Sequence, residues 1–502
     1  MRRTAAVLFI LKFSKIPLNL FLLSLTAKYF GVSPEKDIWL LCFSAMTFID
    51  AALWGPINET FRTKFIFIKE QENDRFAIKY TQSLLTYFII FTLLLIFLII
   101  QFPNAFIYIM GSSFSGSSIL VMKKMLLLVA PVLLFNQLMQ IGTSILNAYD
   151  VFYIPEISSF LSTVLNILLL YLLVHDFGIY SLVLSYYVST FILIGFIIFY
   201  IYKRKIHLFT GKWNFRFEGF KIFFVFAIPF FLPYFFGQIN LIVEKIFAGK
   251  LGIGVISSLD FANKVPSLMN GLIVSVMSSV LVPQLAKHFI RNEKEQYNEE
   301  FRKMFQIGIL MIGLLIAFIF GCSTSITDFL FNKGTISHEV LTEIARLTIL
   351  YSVSLLGIYC YVIFGMALLS SQQQKIYAVL GMLAQILVIG INMFSLQIKT
   401  VYIFPISIFV SHSIVALIMY KRFPFIDTLK LNFIKYGLLV IFLPLIMFFF
   451  GQNINFNNDV INILFSGSIL SVLTIAILFI FKFEEFVILK QQIVKLLQKK
   501  HL

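Results

Sequence analysis

Lys12, Lys15 and Asn19 stand three and four residues apart inside a long apolar run, so a helix puts all three on one face. Ser44, Thr47, Asp50, Trp54 and Asn58 form a second polar stripe in the next apolar run. Two later runs repeat the pattern. One holds Gln238, Asn240 and Glu244, with Pro229, Pro233 and Gly237 placed to bend it. The other holds Asp260, Lys264, Ser267 and Ser275, with Asn263, Pro266, Asn270 and Gly271 nearby. Amines on such faces attract anions, and Lys meets a phosphate as a point charge, without the fork of Arg. The chain has no GxxxxGK[ST] loop, no HExxH and no GxSxG, which argues against P-loop nucleotide hydrolysis and the common hydrolase arrangements. No cofactor or metal is called for. Cys42, Cys322 and Cys360 lie in apolar stretches without CxxC spacing and read as small packed residues.

Each polar residue also has a plainer reading. Lys12 is close enough to the N-terminus to snorkel to an interface. Asp260 and Lys264 are an i,i+4 pair that can neutralise each other. Glu244 and Lys245 sit where a run ends and can lie at an interface. His412 reads as a packed, hydrogen-bonded histidine rather than a proton relay. Asp50 is deep in its run and needs a partner, for which Lys15 is the candidate.

The elements that must hold these residues follow from composition. Of 502 residues, 59% are apolar, 13% are charged and 60 are Phe, against about 25% charged in soluble domains. That excludes a cytosolic enzyme, a nucleic-acid-binding domain and a disordered chain. Fourteen apolar runs of bilayer-spanning length occur, near 5–27, 38–58, 82–102, 125–148, 155–174, 178–202, 219–244, 253–285, 304–325, 346–370, 376–396, 401–420, 434–451 and 460–481. The net charge of +16 is concentrated in alternate connections. Arg62, Lys64, Lys69, Arg75 and Lys79 fall in one, and Lys203, Arg204, Lys205, Lys212, Arg216 and Lys221 in another. By the positive-inside rule both termini face the cytoplasm. The N-terminus begins like a signal peptide, but Lys12 and Lys15 interrupt it and no small-residue cleavage site follows, so it reads as a retained first helix. The connections are too short to hold a soluble domain. The tail 483–502 carries Phe486, Leu489, Ile493 and Leu496 at helical spacing among lysines, as in an amphipathic helix lying on the anionic leaflet.

A faint internal repeat divides the chain. Ala27-Lys-Tyr-Phe-Gly31 follows the first run and Ala248-Gly-Lys-Leu-Gly252 the seventh, and a polar-containing helix with Pro56 or Pro283 near its far end comes next in each case. The expected fold is therefore an all-α polytopic membrane protein of about 14 transmembrane helices. It comprises an N-terminal lobe at 1–202, a C-terminal lobe at 203–420, two further helices at 421–482 and the tail at 483–502. The polar stripes lie on the first, second, seventh and eighth helices, equivalent positions in the two halves, which suggests a hydrated cavity lined by those four.

The run LTAKYFGVSPEKDIWLLCFSAMTFIDAALWGPINETFRTKF resembles the start of the MurJ/MviN lipid II flippases, within the multidrug/oligosaccharidyl-lipid/polysaccharide exporter superfamily. The shared features are Lys15, Phe30-Gly31, Asp37 opening the second helix, and Gly55. The later stretch GQINLIVEKIFAGKLGIGVISSLDFANKVPSLMNGLIVSVMSSVLVPQLAKHF is similar to the family's seventh and eighth helices through Asn263-Lys264-Val265, Gly271 and Val282-Pro283-Gln284-Leu285. The following EQYNEE fits its polar loop.

The resemblance implies two six-helix lobes around a cationic cavity, with helices 13 and 14 forming a groove for a lipid tail. It implies alternating access, in which the pyrophosphate headgroup of an undecaprenyl-linked glycan crosses the bacterial inner membrane without covalent chemistry. Lys15 and Lys264 match two family arginines expected to meet pyrophosphate, and Asp37 matches the family's helix-two acid. Asn19, Asp50, Asp260 and Asn263 complete the expected cavity set. The chain departs from the family in carrying Asp50 where the family has an arginine, and no second helix-one arginine occurs near Asn19 or Leu20. Lipid II is the leading cargo and an O-antigen or capsular lipid the close rival. A cation-coupled drug exporter is disfavoured by the two extra helices and Lys264, and a membrane glycosyltransferase by the short outer loops. Expected partners are the lipid-linked glycan, membrane lipids and cell-wall synthesis proteins; nucleic acid is not among them.

Overall fold

The structure is a computed structural model, and it describes residues 2–480 apart from 111–113, 115, 207, 209–212, 430 and 455. Lys212, the side chains of Ser275 and Pro283, and the basic tail 483–502 lie outside the described residues. All regular elements among the described residues are helical. They are α1 (Arg2–Phe30), α2 (Pro34–Gln71), α3 (Asp74–Gln101), α4 (Pro103–Met110), α5 (Ser117–Val129), α6 (Val132–Ala148), α7 (Tyr153–Phe177), α8 (Ser181–Lys203), α9 (Phe217–Leu251), α10 (Val255–Ile290), α11 (Lys294–Phe331), α12 (His338–Ser370), α13 (Gln374–Ile398), α14 (Ile403–Lys421), α15 (Phe433–Asn453) and α16 (Asp459–Ile480). Among the described residues, eleven segments are long and apolar enough to cross a membrane, and twelve if bent α9 is one span. One of the eleven, Tyr153–Lys203, contains both α7 and α8.

Local chemistry fixes the helix ends. Gly31, at φ +54°, closes α1, and a Cβ there would come within 2.9 Å of the Thr335 carbonyl oxygen. Ser33 then caps α2 by accepting from the Lys36 N–H at 3.3 Å, with Pro34 and the acids Glu35 and Asp37 in the first turn. At 38 residues, α2 is about 57 Å long, nearly twice the bilayer's hydrocarbon core, while α11, also 38 residues, is kinked at Cys322, where the backbone leaves helical geometry. The helix of α2 thus continues through Arg62, Lys64 and Lys69, which end the apolar run but not the helical hydrogen bonding. In the same way EQYNEE, expected as a loop, forms the first turns of α11, because Tyr297, Asn298 and Phe301 bury one face of it. The expected bend in α9 is present: its two segments, Phe217–Leu232 and Tyr234–Leu251, meet at 56°, with Pro233, which has no N–H to give, at the break.

The chain folds as two compact units. The first comprises Met1–Ser258, Lys333–Ile336 and Gln385–Val401; the second comprises Leu259–Asn332, Ser337–Ala384 and the described chain from Tyr402 on. α2 is the hub of the first unit, packed by α3, α5, α6 and α9, while α1 packs on α7 and α7 on α8. Aromatic rings fill the contacts: Trp54 meets Phe88 at 4.3 Å between centroids, and Phe61 stacks on Phe223 at 5.0 Å. These contacts place α9 in the first unit, although its run belongs to the second half of the faint repeat. Gly55 lets α9 approach, since a Cβ there would lie 2.7 Å from the Tyr234 ring.

In the second unit α11 packs with α12, α15 and α16, and α12 with α14. Buried Tyr359 donates to the carbonyls of Met304 and Phe305 at 3.1 and 3.2 Å, joining α12 to α11. His412 is packed as expected, its Nδ1 2.8 Å from the Ile408 carbonyl and its ring edge-on to Tyr361. The three cysteines are free, Cys42 and Cys322 buried and Cys360 half-buried.

Candidate functional site

Lys15 lies where α1 packs on α7. Its Nζ donates to Glu156 Oε2 at 2.8 Å and to Ser159 Oγ at 3.1 Å. Lys12, one turn earlier and about half exposed, reaches the other Glu156 oxygen at 3.9 Å. Glu156 stands in the first turn of α7, where a negative charge also suits the helix dipole. Lys15 and Glu156 are each only about one-fifth exposed, so water screens the pair incompletely. Asn19 follows Lys15 by one turn and is half-buried.

Asp50 is not the partner of Lys15, contrary to the sequence expectation. Lys15 belongs to α7's carboxylate, whereas Asp50 on α2 faces α6. There its Oδ1 accepts from Gln137 Nε2, and its Oδ2 lies 3.5 Å from Asn136 Nδ2. Asn136 Oδ1 in turn accepts from the Tyr186 hydroxyl of α8 at 2.8 Å. The result is a polar network through α2, α6 and α8 with one carboxylate and no cation. Asn136, Gln137, Glu156, Ser159 and Tyr186 were missed by the sequence reading. The available signal was an amide pair and an acid inside otherwise apolar runs.

Asp37 is fully buried. Its carboxylate accepts from the Gly254 N–H at 2.5 Å, the Ser257 N–H at 2.8 Å and the Ser257 hydroxyl at 2.5 Å. It thereby caps the start of α10 from the first turn of α2, binding donors that a helix N-terminus leaves open. These three bonds tie the first turn of α2 to the start of α10.

Asp260, Asn263 and Lys264 lie in the second unit, in the second and third turns of α10, and all three are half-buried. Their i, i+3, i+4 spacing shares one face. Asp260 and Lys264 do not neutralise each other: among the described residues no ion pair within 4.0 Å joins them, and Lys264 has no other. The Asn270 side-chain carbonyl, further along α10, is buried without a partner. Among the described residues no cluster of three or more His, Cys, Asp or Glu side chains is arranged to hold a metal. The chemistry available is that of lysines, amides and separate carboxylates, which suits recognition of an anion.

The similarities of the chain point the same way. The "Probable lipid II flippase MurJ" of Borreliella burgdorferi is 24% identical over 440 residues, covering 84% of this chain and 85% of that protein. The lipid II flippase MurJ of Thermosipho africanus is 29% identical over 194 residues, 38% of this chain and 40% of its own. Among solved structures, one of "Lipid II flippase MurJ, inward closed conformation" superposes with a TM-score of 0.80 at 22% identity, covering 95% of this chain and 98% of that one. An inward-facing multidrug MATE transporter of the MOP superfamily superposes with a TM-score of 0.67 at 12% identity, over 86% of this chain and 98% of its own, a likeness of fold. The family model described as "Lipid II flippase MurJ" matches residues 26–469, nearly the whole described chain, and on that match the chain belongs to the MurJ lipid II flippase family.

Proposed function

We propose that this protein, a multi-pass transporter of the bacterial inner membrane, translocates lipid II, with Lys15 and Lys264 as the cations that meet the pyrophosphate. The observation that carries the reading is the family match over residues 26–469. Lys264 supports the site: a half-buried lysine with no ion pair within 4.0 Å among the described residues is open to compensation by water or an anionic ligand. Lys15 is the second cation, held in reserve by Glu156 until a phosphate competes for it. Asn19, Asp260 and Asn263 flank the two lysines as polar contacts, and Asp37 and Asp50 act on helix placement. The lobes at 1–202 and 203–420 alternate access, with 421–482 serving the lipid tail. The distribution of Lys and Arg supports cytoplasmic termini. Transport needs no bond-making chemistry from the chain, and cell-wall synthesis proteins are its natural neighbours.

The test is depletion of the protein in its host with quantification of lipid-linked precursors, complemented by Lys264→Ala. Accumulated lipid II, relieved by the wild-type chain but not by an equally expressed Lys264→Ala chain, is the expected result. Asp50, standing where the family has arginine, makes an O-antigen or capsular lipid the second cargo to measure. Accumulation of that lipid with normal lipid II would move the protein to surface-polysaccharide export. No change in any glycan-lipid would overturn the reading.

A further inference from the structure

Asp50 stands near the middle of the 38-residue α2, and no Lys, Arg or His nitrogen lies within 4.0 Å of its carboxylate among the described residues. The groups that meet its carboxylate are the side-chain amides of Asn136 and Gln137 on α6. The sequence of α6 contains no acidic or basic residue. The titratable group facing the site is the Tyr186 hydroxyl of α8, through Asn136. Lys123 and Lys124 of α5, Lys79 of α3 and Lys245 of α9 form no ion pair with it, and the nearest acid along α2, Glu59, is nine residues away. An ionised carboxylate in a bilayer span with only amides around it is poorly compensated.

The surroundings can serve a neutral carboxyl as well as an ionised one. Ionised, Asp50 accepts from the amide nitrogens of Gln137 and Asn136. With a proton on Oδ2, the Asn136 amide turns over. The Asp50 O–H then donates to Asn136 Oδ1, and Asn136 Nδ2 donates to the Tyr186 hydroxyl. That hydroxyl turns to Thr190, beside it on α8. No hydrogen bond is lost, and a 3.5 Å N···O contact, long for a hydrogen bond, is replaced by an O–H···O bond. Gln137 Oε1, on a residue 2% exposed, is buried without a partner and is a second acceptor open to the same proton.

We propose that Asp50 is a proton-binding carboxyl group, with Asn136, Gln137 and Tyr186 as a shell that reorients with its charge, and that its charge state sets how α2 is held to α6 and α8. A hard metal ion is the poorer occupant, because it gathers six or more oxygens and this carboxylate is met by two N–H groups. The proposal deepens the flippase reading by naming an ion for its cycle, and rests on that reading for this consequence alone.

The experiment reads the site without transport. Infrared difference spectra of the full-length protein in lipid bilayers, wild type minus Asp50→Asn, are followed from about pH 5 to about pH 9. A protonated-carboxyl C=O band that fades as pH rises and is unaffected by exchanging potassium for sodium is the expected result. Gln137→Leu keeps the carboxyl and removes an N–H from its ionised form, so it moves the midpoint upward by about one pH unit. That variant also serves if Asp50→Asn fails to fold. Either no such band across the range or a band abolished by sodium at fixed pH overturns the proposal. Lipid II accumulation on depletion is scored separately, so either reading can fail alone.

Discussion

The Lys15–Glu156 pair makes the sharpest quantitative prediction about the proposed headgroup site. Glu156→Gln removes one negative charge and leaves an oxygen within reach of Nζ. At an effective dielectric of about 20, unit charges 2.8 Å apart attract by about 6 kcal/mol before desolvation. Net values for hydrogen bonds between charged groups are about 1.5–3 kcal/mol. Both side chains keep about one-fifth of their exposure, which lowers the figure to about 1 kcal/mol. A phosphate that recruits Lys15 must first displace Glu156, so the Gln variant binds about fivefold more tightly, since 1.4 kcal/mol is tenfold. The assay is binding of a short-chain lipid II analogue to the purified protein in nanodiscs, as a cycle with Lys15→Ala. Lys15→Ala weakens binding, and in that background Glu156→Gln has no further effect. Weaker binding by the Gln variant, or an equal gain with and without Lys15, would refute the idea that Glu156 competes with substrate for this amine.

Two further substitutions test how the helices are positioned. Asp37→Ala strands the Gly254 and Ser257 donors in a buried place and lowers stability by about 3 kcal/mol, with Asp37→Asn recovering part through its remaining carbonyl; chemical unfolding in detergent reads this, and wild-type behaviour of the Ala variant would remove Asp37's capping role. Gly55→Ala drives a methyl against the Tyr234 ring and costs about 1–3 kcal/mol in the same assay, and much less when Tyr234 is also Ala.

Helix positions were legible because a bilayer demands about 20 apolar residues per span, and that demand is local. Each of the fourteen runs falls on a helix, or for 125–148 on the pair α5 and α6. Helix ends were less legible. Charges at 62–69 stop an apolar run, yet the α2 backbone goes on bonding to itself, and its buried face at Phe61, Phe65 and Ile68 holds the extension in place. The bend of α9 could be read because Pro233 acts on its own helix. The packing of α9 on α2 could not, because it depends on Phe223 and Tyr234 meeting residues more than 150 positions earlier.

The same division explains the site. Spacing alone put Lys12, Lys15 and Asn19 on one face, but the partner of Lys15 comes from 141 residues away and that of Asp50 from 87. Once those partners are known, the charges singled out in the sequence cease to be equivalent. Asp37 is spent on a helix start, Lys15 is balanced by a carboxylate, and Asp50 is held by amides that can reorient if its charge changes. Lys264 alone among these four has no such compensation within the described residues. Inside a membrane the cost of a charge must be met by something, and where the protein supplies no counter-charge, water or ligand must. On that argument Lys264 is the residue to which the proposed phosphate contact is assigned first. On the proposed reading the two lysines therefore differ in what a phosphate must displace: at Lys264 water, and at Lys15 the carboxylate of Glu156.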